Sequence, residues 1–388
     1  MHKLLATVIL LFLTLPAIAA TKVTVQQLDD RLNELYQQRK SDEATATKLK
    51  DLQLTEQLTT AEMNSFTRYA PGPLTTTQIR ILAVDSSLLP PPPGDLPSDP
   101  TPDHPTQAAI MAKAVDYAAQ QYAHLPKLVA DKQTIRFQNG VTQLRTDSST
   151  TSNIASGDPS SDLVANQYLL MLGAHTTTVQ SENGIEAPPP VVKQKDPASQ
   201  NGQVSQGGAG LVLGIILIDA AKGEMSWLRW QTIYGKKVAV FAFSVNKKQS
   251  HYKVNYCCFP VMENVGSSGS VNKSAMMPDI ASQPGGTSTT FKSFTANPGY
   301  HGEFYIDPET GTILRLVTKA DLKPTDPVQQ EDIRVDYAPV DIAGKQYVVP
   351  VKSSILTEVA PYGDSYVKYT TRRTLFDVSY QNYRPVAQ

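Results

Sequence analysis

The chain has 388 residues, two cysteines and a formal net charge of −1, from 35 Lys+Arg against 36 Asp+Glu. Near-neutrality excludes the basic-patch routes to nucleic acid and anionic membrane. Two cysteines in a chain this long exclude a disulfide scaffold.

The start of the chain carries an address. His2 and Lys3 are followed by an apolar run from Leu4 to Leu15 and the small-residue pattern Ala17-Ile18-Ala19. That order matches a secretory signal peptide. The cut falls before Ala20 or Thr21, neither of them cysteine, so no lipoprotein anchor is expected. No later run reaches the ~20 apolar residues of a spanning helix. The mature chain is expected to be exported, periplasmic or secreted.

Capping boxes organise the next segment. Thr24-x-x-Gln27, Thr59-x-x-Glu62 and Thr75-x-x-Gln78 each pair a hydroxyl with an amide or carboxylate three residues on. Behind the first, Val25, Leu28, Leu32 and Leu35 recur at helical spacing. "LLPPPPGDLPSDPTPDHP" then cannot be helical, because proline lacks the N–H donor and restricts its predecessor. It reads as an extended connector, with a groove-binding ligand motif as the alternative. A helix follows whose seam is Ala108, Met111, Val115, Ala118, Tyr122 and Leu125, stopped by Pro126.

Beyond Pro126 the apolar period becomes two. "KQTIRFQ", "SWLRWQTI", "KKVAVFAFSV", "SHYKVNYCC", "YHGEFYI", "GTILRLVTKADL", "EDIRVDYAPV", "KQYVVPVKSSILTEV" and "DSYVKYTTRRTLFDVSY" are strand-like. Asn183-Gly184 and Gly344 are hairpin-turn signals. The last five strands have no helix between them and should form an antiparallel meander. An apolar helix at Ala209 to Ala221 interrupts the early strands. Thr142 to Ser161, Ala187 to Gly207 and Met262 to Pro298 are polar and read as long loops.

In "YHGEFYIDPETGTILRL", Tyr300, Phe304 and Ile306 share one face; His301, Glu303 and Tyr305 share the other. Asp307-Pro308-Glu309-Thr310-Gly311 fits a turn with aspartate capping it and Gly311 at positive φ. His301 and Glu303 then read as surface groups, not as an acid/base site. In "DIRVDYAPV", Asp332, Arg334 and Asp336 point to a solvent-facing side. "VAVFAFSV" is apolar at both parities and should be covered on both faces. A curved sheet with helices in its concave face accounts for that contrast.

Sharper chemistry finds little support. "GGAGLVLG" at Gly207 to Gly214 lacks the preceding strand of a dinucleotide loop, and "GSSGS" at Gly266 lacks the final glycine of a nucleophile elbow. His104, His124, His175, His251 and His301 are scattered without ligand spacing. No cofactor and no metal are expected. Cys257 and Cys258 are adjacent and read as two free thiols, with a vicinal disulfide or an intermolecular link as the alternatives.

"YHGEFYIDPETGTILRLVTKADL", "IRVDYAPVDIAGKQYVVPVKS" and "RRTLFDVSYQNYRP" resemble a group of uncharacterised secreted acidobacterial proteins, as do "LPKLVADKQTIRF" and "ILAVDSSLLPPPP". The C-terminal half is also similar to the LolA/RseB superfamily of periplasmic lipoprotein carriers and sensors. That resemblance implies a half-barrel: a strongly curved antiparallel sheet closed by helices over an apolar cavity.

Together these observations predict an α+β fold with three parts. Residues 1–20 are the signal peptide, 21–103 a helical region with the Pro-rich connector, and 104–388 a helix plus a curved antiparallel sheet with long polar loops. One ~27 Å helix cannot span roughly ten strands, ~48 Å across. Uncovered apolar surface is therefore expected. Its candidate lining is Trp227, Trp230, Phe241, Phe243, Tyr300 and Phe304, with Trp227 and Trp230 placed on opposite faces of their strand. Cross-strand packing is the alternative role of these aromatics.

The expected function is a non-enzymatic exported protein that binds lipid or lipoprotein acyl chains. An envelope interaction or scaffold protein is the alternative, and a hydrolase the third class. N-terminal sequencing of exported material should begin at Ala20 or Thr21; a sequence beginning at Met1 would refute the leader.

Overall fold

The computed structural model describes residues 21–120, 124–139, 169–187, 202–203, 209–264, 287–360 and 372–386. The signal-peptide segment, the loop expected at Thr142 to Ser161 and most of that at Ala187 to Gly207 lie outside the described residues. So do the side chains of Cys257 and Cys258.

Strand β1 (Thr21–Val23) leads into helix α1 (Val25–Gln37); α2 (Asp42–Lys50) runs on to β2 (Leu52–Leu54), which pairs with β1 in parallel. Both expected capping boxes at Thr24 and Thr59 form, at the starts of α1 and α3 (Thr60–Phe66). The third does not. Helix α4 (Pro73–Asp85) starts upstream of Thr75, because Pro73 is already set for the first turn. Its free N–H groups are taken by another helix: the Asp42 carboxylate accepts from Leu74 at 2.9 Å and Thr75 at 2.8 Å. Leu28, Leu32, Leu49, Leu54, Phe66 and Ile79 bury against one another as the core of these elements.

The remaining elements in chain order are α5 (His104–Gln120), β3 (Leu128–Gln138), β4 (Leu170–Glu182), β5 (Ile185–Glu186), β6 (Gly202–Gln203), α6 (Ala209–Ala220) and β7 (Glu224–Ile233). Then come β8 (Lys236–Val245), β9 (Val254–Asn264), β10 (Thr287–Ala296), β11 (Gly299–Ile306) and β12 (Ile313–Asp321). The last are β13 (Val328–Ile342), β14 (Lys345–Val359) and β15 (Arg372–Pro385). Ten strands form one open antiparallel sheet in the order β5-β4-β3-β15-β14-β13-β12-β11-β8-β7. β11 to β15 are the expected meander. β10, β9 and β6 form a separate three-stranded sheet. β10 corrects the expectation of a loop from Met262 to Pro298: its Thr- and Phe-rich sequence has strand propensity despite its polarity. Among the described residues, no helix is long and apolar enough to cross a membrane.

Both faces of the main sheet are covered. On one, Ile110, Ala114 and Tyr117 of α5 and Leu213, Ile216 and Ala220 of α6 pack onto Phe241, Phe304, Ile306 and Leu316. Tyr252, Val254 and Tyr256 at the start of the small sheet join that cluster. On the other, Ile81, Val84 and Leu88 meet Val238, Val240, Leu314, Leu356 and Leu375. β8 lies between them, with Val238, Ala239 and Val240 all inaccessible to solvent.

The buried stripe of α5 differs from the expected seam, and Val115 is 57% exposed. An alanine-rich helix has shallow periodicity, so two adjacent stripes compete, and the one bearing Ile110 and Tyr117 buries more area. The Pro-rich connector carries the chain from one face to the other at the β7–β8 corner. The Trp230 indole N–H donates to the Pro100 carbonyl at 2.9 Å, and Lys237 pairs with Asp99 at 2.9 Å.

The hairpin turn after β11 is also a docking point. The Asp307 carboxylate accepts from the Glu309 N–H at 2.9 Å, and Gly311 has φ +76°. Lys113 of α5 donates to the carbonyls of Pro308 and Glu309 at 3.0 and 3.1 Å. A Cβ at position 311 would meet the Lys113 carbonyl. Gly311→Ala should therefore lower stability by at least ~1 kcal/mol, from φ strain and from displacing α5. A urea midpoint equal to that of the wild type would refute this placement of α5.

Candidate functional site

The site grows from a simple alternation. On β13, Val335 and Tyr337 enter the core beneath α5 and α6, so Arg334 and Asp336 point to the opposite face. Register then aligns charges across strands: Arg315 of β12, Asp336 of β13 and Lys352 of β14 form one row. Arg334, Ser354 of β14 and Asp377 of β15 form the next. The sequence places this side in solvent; the structure corrects that. α4 and the 3-10 turn Ser86–Leu88 sit over it, leaving Asp332 5% and Asp336 1% exposed.

Beside the apolar patch joining α4 to the sheet lies a cleft of about 1050 Å³. Its floor is the two charged rows. Asn64 and Met63 of α3 and Thr76 and Arg80 of α4 form the opposite wall, and Tyr234 at the β7–β8 turn closes one side. Tyr234 holds φ +50° and Gly235 φ +73°, a tight two-residue turn. That turn brings the Tyr234 hydroxyl to Asp336, to which it donates at 2.9 Å.

Each aspartate in the floor lies between two cations. Asp336 accepts from Arg315 Nε at 2.5 Å and from Arg334 Nη2 at 2.8 Å. Asp377 meets Arg80 at 3.1 Å and Lys352 at 3.6 Å. Three contacts tie the N-terminal helices to the sheet around the cleft. They are Arg80 to Asp377, Arg373 to Asp85 at 2.8 Å, and Arg334 Nη1 to the Ser87 carbonyl at 2.8 Å.

Burial alone would raise the Asp336 carboxyl, but the Arg315 and Arg334 guanidiniums overcome it and hold the group well below the usual carboxylate range. Burial raises Asp85 and Glu358 despite the Arg373 charge, and raises Asp332 despite a hydrogen bond from Gln330.

On the same face, Arg229 forms a two-pronged pair with Glu303 at 2.8 and 3.2 Å, and the Tyr305 hydroxyl donates to Glu303 at 2.6 Å. Glu303 is therefore not a surface group beside His301, which instead bonds Asp321 at 2.8 Å in solvent. The Arg315 guanidinium lies 5.2 Å from the Tyr305 ring centroid, joining this cluster to the cleft floor.

The six aromatic residues read as a cavity lining come together on the other face. Phe243 contacts Phe304 at 4.7 Å and Tyr300 at 6.0 Å between centroids; Trp227 contacts Trp230 at 4.8 Å and Phe241 at 5.4 Å. Trp227 and Trp230 share a face, contrary to expectation. A bulge between Trp227 and Arg229 inserts one residue and reverses the alternation. Phe241, Phe243, Tyr300 and Phe304 are at most 4% exposed. The two tryptophans are half-buried. The Tyr300 hydroxyl donates to Asp219 of α6 at 2.9 Å, and Asp219 also bonds His251 Nδ1 at 2.5 Å. These contacts hold α6 over the aromatic row.

The depressed Asp336 group contributes stability that is present above its unfolded value of about 3.9 and is lost as pH falls through the folded value. Asp336→Asn should cost about 3–5 kcal/mol at pH 7, since two buried guanidiniums lose their shared counter-charge. That difference should narrow in urea titrations at pH 3. A gap unchanged between pH 7 and pH 3 would show that Asp336 is not held ionised by the two arginines.

The chain matches no family model, no curated protein and no solved structure.

Proposed function

We propose that the chain is an exported binding protein that takes a soluble ligand in the polar cleft between its N-terminal helices and the main sheet. One observation carries this: a cleft of about 1050 Å³ whose floor is built from ionised side chains of four neighbouring strands. Charged groups are costly to desolvate, and two covered rows of them serve recognition better than they serve stability. The cleft is large enough for a ligand of drug size.

A second reading has its own support. On the aromatic face, Leu125, Leu128, Val179, Val349 and Tyr383 line an apolar crevice of about 20 Å³, which an acyl chain would have to widen. With the resemblance of the C-terminal half to half-barrel lipoprotein carriers, this is where an acyl chain would enter, against β3, β4, β14 and β15.

Hydrogen exchange separates the two. A library of soluble metabolites and oligosaccharides is screened by thermal shift, with palmitate in parallel, and the hits are mapped. The cleft reading expects protection at α3, α4 and the β7–β8 turn. Protection confined to β3, β4 and β14 with palmitate would replace it with the acyl-chain reading. Absence of protection at α3 and α4 with every compound would refute it.

A further inference from the structure

Charge and hydroxyl content together define what the cleft can hold. Its charged lining is Arg80, Arg315, Arg334 and Lys352 against Asp336 and Asp377, four cations and two anions. The excess of two positive charges stands out in a chain whose formal net charge is −1.

The two aspartates use their cations differently. Around Asp336, both guanidiniums are buried and hydrogen-bonded, and Tyr234 adds a third donor. That group is saturated and acts as a rigid floor. Around Asp377, the partners are open: the Arg80 and Lys352 side chains are 48% and 44% exposed. Lys352 stands 3.6 Å from Asp377, an ion-pair distance beyond hydrogen-bond reach. Arg80 reaches in from the α4 wall and Lys352 rises from the β14 floor, so the two cations face the cleft from opposite sides.

The neutral lining has a matching bias. The hydroxyls of Thr59, Thr67 and Thr76 donate to Glu62, to the Asn64 carbonyl and to the Gly72 carbonyl. The Thr59 oxygen already accepts the Glu62 N–H at 3.3 Å, whereas Thr67 and Thr76 keep lone pairs to accept hydrogen bonds. A wall of acceptors suits a ligand rich in hydroxyl donors, while the Arg80–Lys352 pair suits an anionic group.

We propose that the cleft binds a hydroxylated organic anion of the acidic-sugar class, its carboxylate held between Arg80 and Lys352 and its hydroxyls against the threonines of α3 and α4. This rests on the cleft being the ligand site. The carboxylate takes Lys352 from Asp377, which keeps Arg80 as its partner.

Calorimetry on the exported chain tests it with three probes: digalacturonate, neutral digalactose and inorganic phosphate. Digalacturonate should bind saturably, phosphate at least tenfold more weakly and digalactose without measurable heat. Raising the salt should weaken digalacturonate, because both cations are half exposed and screened. Lys352→Gln and Arg80→Gln should each weaken it five- to tenfold, with melting temperature recorded to confirm folding.

Digalactose binding as tightly as digalacturonate would overturn the anion assignment while leaving the cleft as the site. Phosphate binding as tightly as digalacturonate would reduce the site to an anion trap and overturn the sugar assignment. No heat with any probe would overturn the proposal outright; the cleft reading then stands or falls on the exchange protection at α3 and α4. Equal affinity in wild type and both variants would remove Arg80 and Lys352 from recognition.

Discussion

The structure depends on one constraint: β8 and its neighbours are apolar on both sides and must be buried twice. Val238 and Val240 face one way, Ala239, Phe241 and Phe243 the other, and none is more than 4% exposed. A sheet built on such a strand needs a cover for each face. α5, α6 and the small sheet supply one, and the N-terminal helices supply the other. The Pro-rich connector follows from the same need, since α4 and α5 lie on opposite faces and the chain must pass between them. Without free N–H donors at its prolines, it can run beside β7 and β8 without adding a strand.

The two covers differ in chemistry. Beneath α5 and α6 the contact is mainly aromatic and aliphatic, with buried carboxylates bonded to tyrosines: Asp219 to Tyr300, Glu331 to Tyr252 and Glu186 to Tyr380. Beneath α4 an apolar patch is flanked by shared-carboxylate ion pairs. An apolar interface closes to exclude water, whereas charged rows keep solvent or a ligand near them. The position of the cleft follows from that difference. It lies on the ionic side.

The helical cover has a core of its own, with Leu28, Leu32, Leu49 and Ile79 fully or almost fully buried. It rests on the sheet through Ile81, Val84 and Leu88 and through the Arg80–Asp377 and Arg373–Asp85 ion pairs.

Local patterns were legible wherever the deciding contacts are near in sequence. The capping boxes at Thr24 and Thr59, the five-strand meander and the turn closing on Gly311 all follow from residues within a few positions of one another. Where a distant partner decides, the pattern misled. Thr75 is no cap because Asp42 caps α4 from another helix. The β7 bulge moved Trp227 and Trp230 to one face, and β10 found its partner in β9. For the cleft, the alternation Arg334-Val335-Asp336 showed that charges share a face, but alternation cannot report what covers that face. The sequence by itself determined which residues share a side wherever a strand runs without a bulge, through backbone geometry. Only the tertiary structure decided that one polar side would be roofed by α4, because that contact joins Arg80 to Asp377 across 297 positions and no local period encodes it.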